Sequence, residues 1–377
     1  QLGYGDTDNR GDNAGEMGDN LPTVDLGTGL KAKAIWAGFS HTCALLNNSK
    51  VKCWGLGDSG QLGYGDTDNR GDNAGEMGDN LPTVDLGTGL KAKAIWAGFS
   101  HTCALLNNSK VKCWGLGDSG QLGYGDTDNR GDNAGEMGNN LPTVDLGTGL
   151  KVKEVRAGGA FTCALLTNRT MKCWGWGPHG ELGYGDTDAR GDNAGEMGNS
   201  LPTVDLGTGR TVKSFATATM HTCAVLDNNS VKCWGYNSGG QLGYGTRDSV
   251  GGNGDMGDSL PTVDLGTGRT ARSVSAGSFG TCAVLDNRSV KCWGMGADSQ
   301  LGNGSTDNRG DDGGEMGDNL PAVDLGSMAV ASIRSGDNHT CAIVNRTHLV
   351  CWGWNPYGQL GYGDTDNRGD DGGEMGD

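Results

Sequence analysis

Apolar and polar positions alternate in short runs broken by turn residues, which is the signature of strands and not of helices. In the first stretch of chain, LPTVDLG at 21–27 alternates, with Pro22 at the start, where a missing N–H does least harm. KAKAIWAG at 31–38 alternates again. HTCALL (41–46) and KVKCWG (50–55) flank Asn47, Asn48 and Ser49, which predicts a hairpin with a three-residue loop. The glycine-rich GLGDSGQLGYG that follows must turn tightly, and a short strand is expected around Leu62 and Tyr64. Residues 65–80 show no apolar period and read as an exposed acidic loop.

This pattern repeats. Residues 1–60 recur without change at 61–120, and diverged copies follow at 121–180, 181–240, 241–299 and 300–358, with a partial copy at 359–377. Six full units plus a partial seventh, each too strand-rich for helices, predict one all-β repeat domain over 1–377. Each unit should form a small antiparallel sheet, the sheets arrayed radially or linearly. Glycine supplies 72 of 377 residues and hydrophobic residues only 34%, so a core of long helices is excluded. The charge, 29 − 46 = −17, disfavours nucleic acid and anionic lipid and favours cations or basic partners. No run of 18 apolar residues occurs, so no membrane-spanning helix is expected. Gln1 is not an initiating residue, and a processed or excised chain is expected.

The twelve cysteines form six pairs ten positions apart. A three-residue hairpin loop sets Leu46 against Lys50 and therefore Cys43 opposite Cys53, close enough for a disulfide. The register predicts Cys43–Cys53, Cys103–Cys113, Cys163–Cys173, Cys223–Cys233, Cys282–Cys292 and Cys341–Cys351. Zinc lacks a constant partner set, because the place of His41 is taken by Phe161 and Gly280 in other units. A reduced, cytosolic hairpin of the same register is the alternative; six regular pairs favour an oxidising compartment. Every hairpin tip carries Asn-x-Ser/Thr, at Asn47, Asn107, Asn168, Asn228, Asn287 and Asn345, with a further match at Asn338. The motif slides by one position between units yet stays at the tip, which predicts N-glycosylation in a secretory pathway; turn composition is the competing reading.

The elements AGFSHTCALL and VKCWGLGDSGQLGYG together resemble the repeat of the regulator-of-chromosome-condensation superfamily, in all six full units. The resemblance implies a β-propeller with four-stranded blades, usually seven. Its unit count leaves closure of the ring undecided. Members include a nuclear exchange factor for a small GTPase, a secreted β-lactamase inhibitor and surface proteins. The paired cysteines, sequons and acidity disfavour the nuclear role, and no basic arm for chromatin is present.

Candidate chemistry centres on the loop DTDNRGDNAGEMGDN. Asp6, Asp8, Asp12 and Glu16, with their equivalents Asp66, Asp68, Asp72 and Glu76, are the expected ligands of a structural Ca²⁺. The opening resembles an EF-hand loop, with Asp6, Asp8 and Gly11 at relative positions 1, 3 and 6, then departs at Arg10 and Met17. The plainer reading is a solvated loop in which Arg10 pairs with a carboxylate. Arg-Gly-Asp recurs six times by copying, which is weak support for an integrin ligand. His41, His101, His221 and His339 share one repeat position; recurrence argues against catalysis and predicts buried partners for backbone groups. Trp54 and Trp114 recur likewise and are expected to pack between blades, with sugar stacking as the alternative. No enzymatic site is expected. The leading function is an extracellular structural or adhesive protein, such as a unit of a surface layer or filament, with protein, glycan or self partners. A discrete secreted binder of protein or glycan is second, and an intracellular exchange factor third.

Overall fold

The computed structural model describes residues 2–375. All regular structure apart from short 3₁₀ turns is β, in three-stranded antiparallel sheets, one per full repeat. The chain divides into two compact units. The first comprises residues 1–8, 22–178 and 188–204. It holds β1 (Ala32–Ala37), β2 (His41–Leu46), β3 (Val51–Gly55), β4 (Ala92–Ala97), β5 (His101–Leu106), β6 (Val111–Gly115), β7 (Val152–Ala157), β8 (Phe161–Leu166) and β9 (Met171–Gly175). The second comprises residues 9–21, 179–187 and 205–377. It holds β10 (Val212–Thr217), β11 (His221–Leu226), β12 (Val231–Gly235), β13 (Ala271–Ala276), β14 (Gly280–Leu285), β15 (Val290–Gly294), β16 (Val330–Ser335), β17 (His339–Val344) and β18 (His348–Gly353).

Within each sheet the strand order follows the chain. The first strand carries one extra residue, Lys33 in β1, where pairing shifts between Ala32 and Ala34. The hairpin forms as its spacing predicts. Leu46 N–H donates to Lys50 O, and the third loop residue, Ser49, takes the left-handed conformation that closes such a loop, at φ 65°.

Two expected strands are absent, and both have the same physical cause. LPTVDLG is extended but forms no ladder, and Leu62–Tyr64 lie in consecutive turns. The outer edge of β3 is satisfied by other means. Val84 N–H of the next repeat donates to Val51 O at 2.9 Å, and Gly55 exchanges two bonds with Arg70. Between them, the Tyr64 hydroxyl accepts from Cys53 N–H and donates to Cys53 O, both at 2.9 Å. An edge whose polar groups are already paired has no use for a fourth strand. The four-stranded sheet implied by the resemblance is therefore three-stranded here. Gly63 turns the chain at φ 76°, and a Cβ there would lie 2.7 Å from Trp114 Nε1, so glycine is required twice over.

Packing is sheet against sheet. In the first unit Cys43, Leu45, Val51 and Cys53 of one repeat meet Ala92, Ile95, Ala104, Leu106 and Trp114 of the next. The second unit repeats this with Cys223, Val225 and Val231 against Val274, Ala283 and Trp293. Also in the second unit, Gly363 N–H donates to Gly11 O at 3.0 Å. That is the bond Gly65 makes to Gly131 in the first.

Candidate functional site

The cysteines stand where the register sets them. Cys43 pairs with Cys53 across β2 and β3 at a Cα separation of 4.1 Å, and all six expected bridges are formed. Because Leu46 and Lys50 form a hydrogen-bonded pair, the alternation makes Cys43–Cys53 a non-hydrogen-bonded one, where opposed side chains lie nearest. No free cysteine exists among the described residues.

All six tip asparagines are exposed, whereas Asn338 is half-buried. Two geometries occur. Asn168, Asn228 and Asn287 use Oδ1 to accept both the N–H and the hydroxyl of the Thr or Ser two residues on. Asn47 instead donates Nδ2–H to Gly29 O at 3.2 Å, leaving the turn bond to Asn48.

The acidic loops are built differently from the calcium cage expected of them. Asp66 forms a 2.7 Å ion pair with Arg70, which also lies 3.7 Å from Asp68. Glu76 Oε2 accepts from Gly71 N–H at 2.8 Å and Asn73 N–H at 3.0 Å. Glu16 does the same with Gly11 and Asn13, at 2.9 and 3.1 Å. The Asn13 N–H bond, against a smaller desolvation push, holds the Glu16 carboxyl below its ordinary range, with Gly11 assisting. Asp8 N–H caps onto Asp6 Oδ1 at 3.1 Å, and Asp68 onto Asp66 likewise. Asp12 and Asp72 turn one oxygen each inward. The structure thus does not gather Asp6, Asp8, Asp12 and Glu16, or Asp66, Asp68, Asp72 and Glu76, around one point. Among the described residues no group of three or more His, Cys, Asp or Glu side chains is placed to hold a metal. At Asp66 and Glu76 the arginine and the backbone N–H groups already occupy carboxylate oxygens, whereas the buried Oδ1 of Asp12 and of Asp72 has no hydrogen-bond partner.

The histidines form seams between successive repeats. His41 Nε2 lies 2.8 Å from Thr102 Oγ1, and Thr102 Oγ1 donates to Gln61 O at 2.9 Å. Trp114 Nε1–H reaches the same Gln61 O at 3.1 Å. A hydroxyl has one proton, so Thr102 must accept from His41, which fixes the imidazole as the neutral Nε2–H tautomer. The arrangement recurs at His101–Thr162–Gln121 and, in the second unit, His221–Thr281–Gln241. The expected backbone partner of the histidines is therefore a threonine hydroxyl. Burial pushes His41 down to about 4 and His101 and His221 to about 3. Trp54, Trp114 and their equivalents in the Cys-Trp-Gly motif are buried, as packing required, and not presented for sugars.

Two recurrent contributors escaped the sequence reading. Thr42, Thr102, Thr162, Thr222, Thr281 and Thr340 occupy one position in every repeat, so repetition itself was the available signal. Lys52 lies buried and clamps two loops, donating to Leu26 O at 2.9 Å and Gly78 O at 2.7 Å. Lys112, Lys172, Lys232 and Lys291 repeat the clamp.

Disulfide-stapled repeat sheets whose seams carry recurring polar links define a propeller-type repeat scaffold. The match to the family described as RCC1-like domain, over residues 1–371, places the chain in that family. The Arabidopsis thaliana ultraviolet-B receptor UVR8 is 29% identical over 342 residues, covering 89% of this chain and 68% of the receptor. The human E3 ubiquitin-protein ligase HERC2 is 27% identical over 89% of this chain, which spans only 6% of that ligase. Among solved structures, human WBSCR16 aligns at TM-score 0.69 and 20% identity, covering 91% of this chain and 81% of that one. Yeast RCC1 (Prp20) bound to Kap60 aligns at TM-score 0.69 and 18% identity, covering 90% and 74%. A second Prp20p structure from Saccharomyces cerevisiae, whose binding to Gsp1p and histones is described, aligns at 0.67, covering 90% and 75%. These likenesses establish the RCC1-like β-propeller fold.

Proposed function

We propose that the chain is a non-enzymatic, extracellular structural or adhesive scaffold built of repeated stapled sheets. One observation carries this reading: every full repeat closes its hairpin with a disulfide and sets an exposed sequon asparagine at its tip. Six bridged hairpins with exposed tip asparagines support secretion and glycosylation.

Mass before and after reduction and glycosidase treatment tests the compartment, and free thiols without glycan would instead support the intracellular exchange-factor reading. The second reading is a discrete protein-binding propeller, favoured by the Kap60, Gsp1p and histone partners of the structural relatives.

A further inference from the structure

The acidic loop of the fifth repeat differs from the others by one basic side chain. Arg247 stands where Thr7, Thr67 and Thr127 stand in earlier repeats. It reaches the acidic loop of the following repeat, where its Nη2–H donates to Asp311 Oδ2 at 2.8 Å. Asn308 Nδ2–H donates to the same oxygen at 3.2 Å. The backbone that brings these two loop positions together is common to the repeats. Gly245 N–H donates to Gly310 O at 2.9 Å, as Gly65 does to Gly131 and Gly125 to Gly191, and Gly5 donates to Gly71 at 3.0 Å. Asp72, Asp132 and Asp192, the counterparts of Asp311, are therefore presented to Thr7, Thr67 and Thr127 as Asp311 is to Arg247. A further pair in the second unit shows how closely the positions approach. A Cβ added to Gly252, another counterpart of Asp311, would stand 2.9 Å from Thr187 Cγ2.

Threonine is too short to cover the carboxylate and brings no charge. The Asp311 side chain is 4% exposed beneath its guanidinium, whereas Asp72, Asp132 and Asp192 are only half-buried. Each of these three also keeps a buried Oδ1 without a hydrogen-bond partner. Burial, with the neighbouring Glu136, pushes the Asp132 carboxyl above the ordinary carboxylate range, and Asp192 is raised in the same way beside Glu196. A metal does not suit the place, because among the described residues no three His, Cys, Asp or Glu side chains converge to hold one. The group that suits it is the one the fifth repeat supplies, a planar cation with several N–H donors. Arg247 remains 61% exposed while making its bond, so the place it fills opens to solvent.

We propose that Asp72, Asp132 and Asp192 form arginine sockets that dock a partner protein through its exposed arginines, Arg247 being the chain's own copy of that ligand. Three sockets in one unit let weak single contacts add along an arginine-rich segment. Hexa-arginine peptide is the probe and hexa-lysine its equal in charge, each titrated calorimetrically into the intact chain at ~0.15 M salt to screen long-range attraction. Hexa-arginine should bind several-fold more tightly than hexa-lysine. Asp72→Asn, Asp132→Asn and Asp192→Asn in one chain should weaken hexa-arginine about tenfold, the worth of a single charge-assisted hydrogen bond. Asp68→Asn, Asp128→Asn and Asp188→Asn remove the same charge from the same loops, at side chains 78, 79 and 78% exposed, and should cost far less. Thr67→Arg with Thr127→Arg plugs two sockets from within and should also weaken binding, which keeps the test open if the socket variants misfold. Equal losses from the two asparagine sets would mean attraction to bulk charge and overturn the proposal. Equal affinity for the two peptides, or no binding of hexa-arginine at ~1 mM, overturns it as well.

Discussion

Acid should loosen the seams through their histidines. His41 titrates near 4 in the folded chain, and His101 and His221 near 3, because burial penalises the charged ring. Unfolded, each returns to 6.5. Between these values the unfolded chain binds more protons, so stability rises with pH and falls as pH drops through 6.5. At pH 5 an unfolded ring is almost fully protonated and a folded one almost not at all. Integration gives about 2 kcal/mol lost per histidine between pH 7 and 5, or about 6 kcal/mol for three independent rings. Urea midpoints at pH 7.5, 6 and 5 measure this slope, in a range where most carboxylates contribute little. His101→Phe copies what Phe161 does naturally. It should cost about 1 kcal/mol at pH 7.5 for the lost bond to Thr162 and remove about a third of the slope. Imidazole resonances for these residues titrating near 6.5, or an unchanged slope in His→Phe variants, would refute the buried neutral-ring assignment.

Glu181 stands where other repeats carry Gln61 or Gln121, fully buried, and desolvation lifts it to about 7. The folded chain here binds the extra proton, so stability falls as pH rises; Glu181→Gln should stabilise by about 2–3 kcal/mol at pH 8 and by little near pH 5, read by urea melts. Removing one bridge with Cys103→Ala and Cys113→Ala should cost about 3 kcal/mol, the entropy of an 11-residue loop, seen as a lower urea midpoint. Lys112→Met strands two buried carbonyls, Leu86 O and Gly138 O, and should destabilise by about 2–4 kcal/mol in the same assay. Calcium followed by chelator should leave the melting temperature unmoved, because Arg70 and the N–H groups of Gly71 and Asn73 hold the loop carboxylates; a reversible rise would restore the cation reading.

The hairpin was legible because its information is local. Ten positions between cysteines and three loop residues determine a register without reference to anything distant. The acidic loop was less legible for the opposite reason. Asp66, Asp68, Asp72 and Glu76 are close in sequence, but whether carboxylates face one another or a backbone depends on where glycines at positive φ turn the N–H groups. LPTVDLG alternates like a strand, yet pairing is a property of the edge it meets, and that edge was already taken by a side chain. The seams lay beyond sequence reading as well, since His41 and Thr102 are 61 positions apart and belong to different repeats.

Tandem copies of one sequence invite a folding chain to join the wrong neighbours. The tyrosine that seals the outer rail, as Tyr64 does for Cys53, lies only 11 residues from the cysteine it serves, and only the fifth repeat replaces it, with Asn303. A module with this tyrosine can therefore close the middle of its own border as it emerges, without choosing among duplicates. Long-distance selection is then confined to compact, already sealed tiles, so errors of joining should exchange whole modules and leave the weave inside them intact.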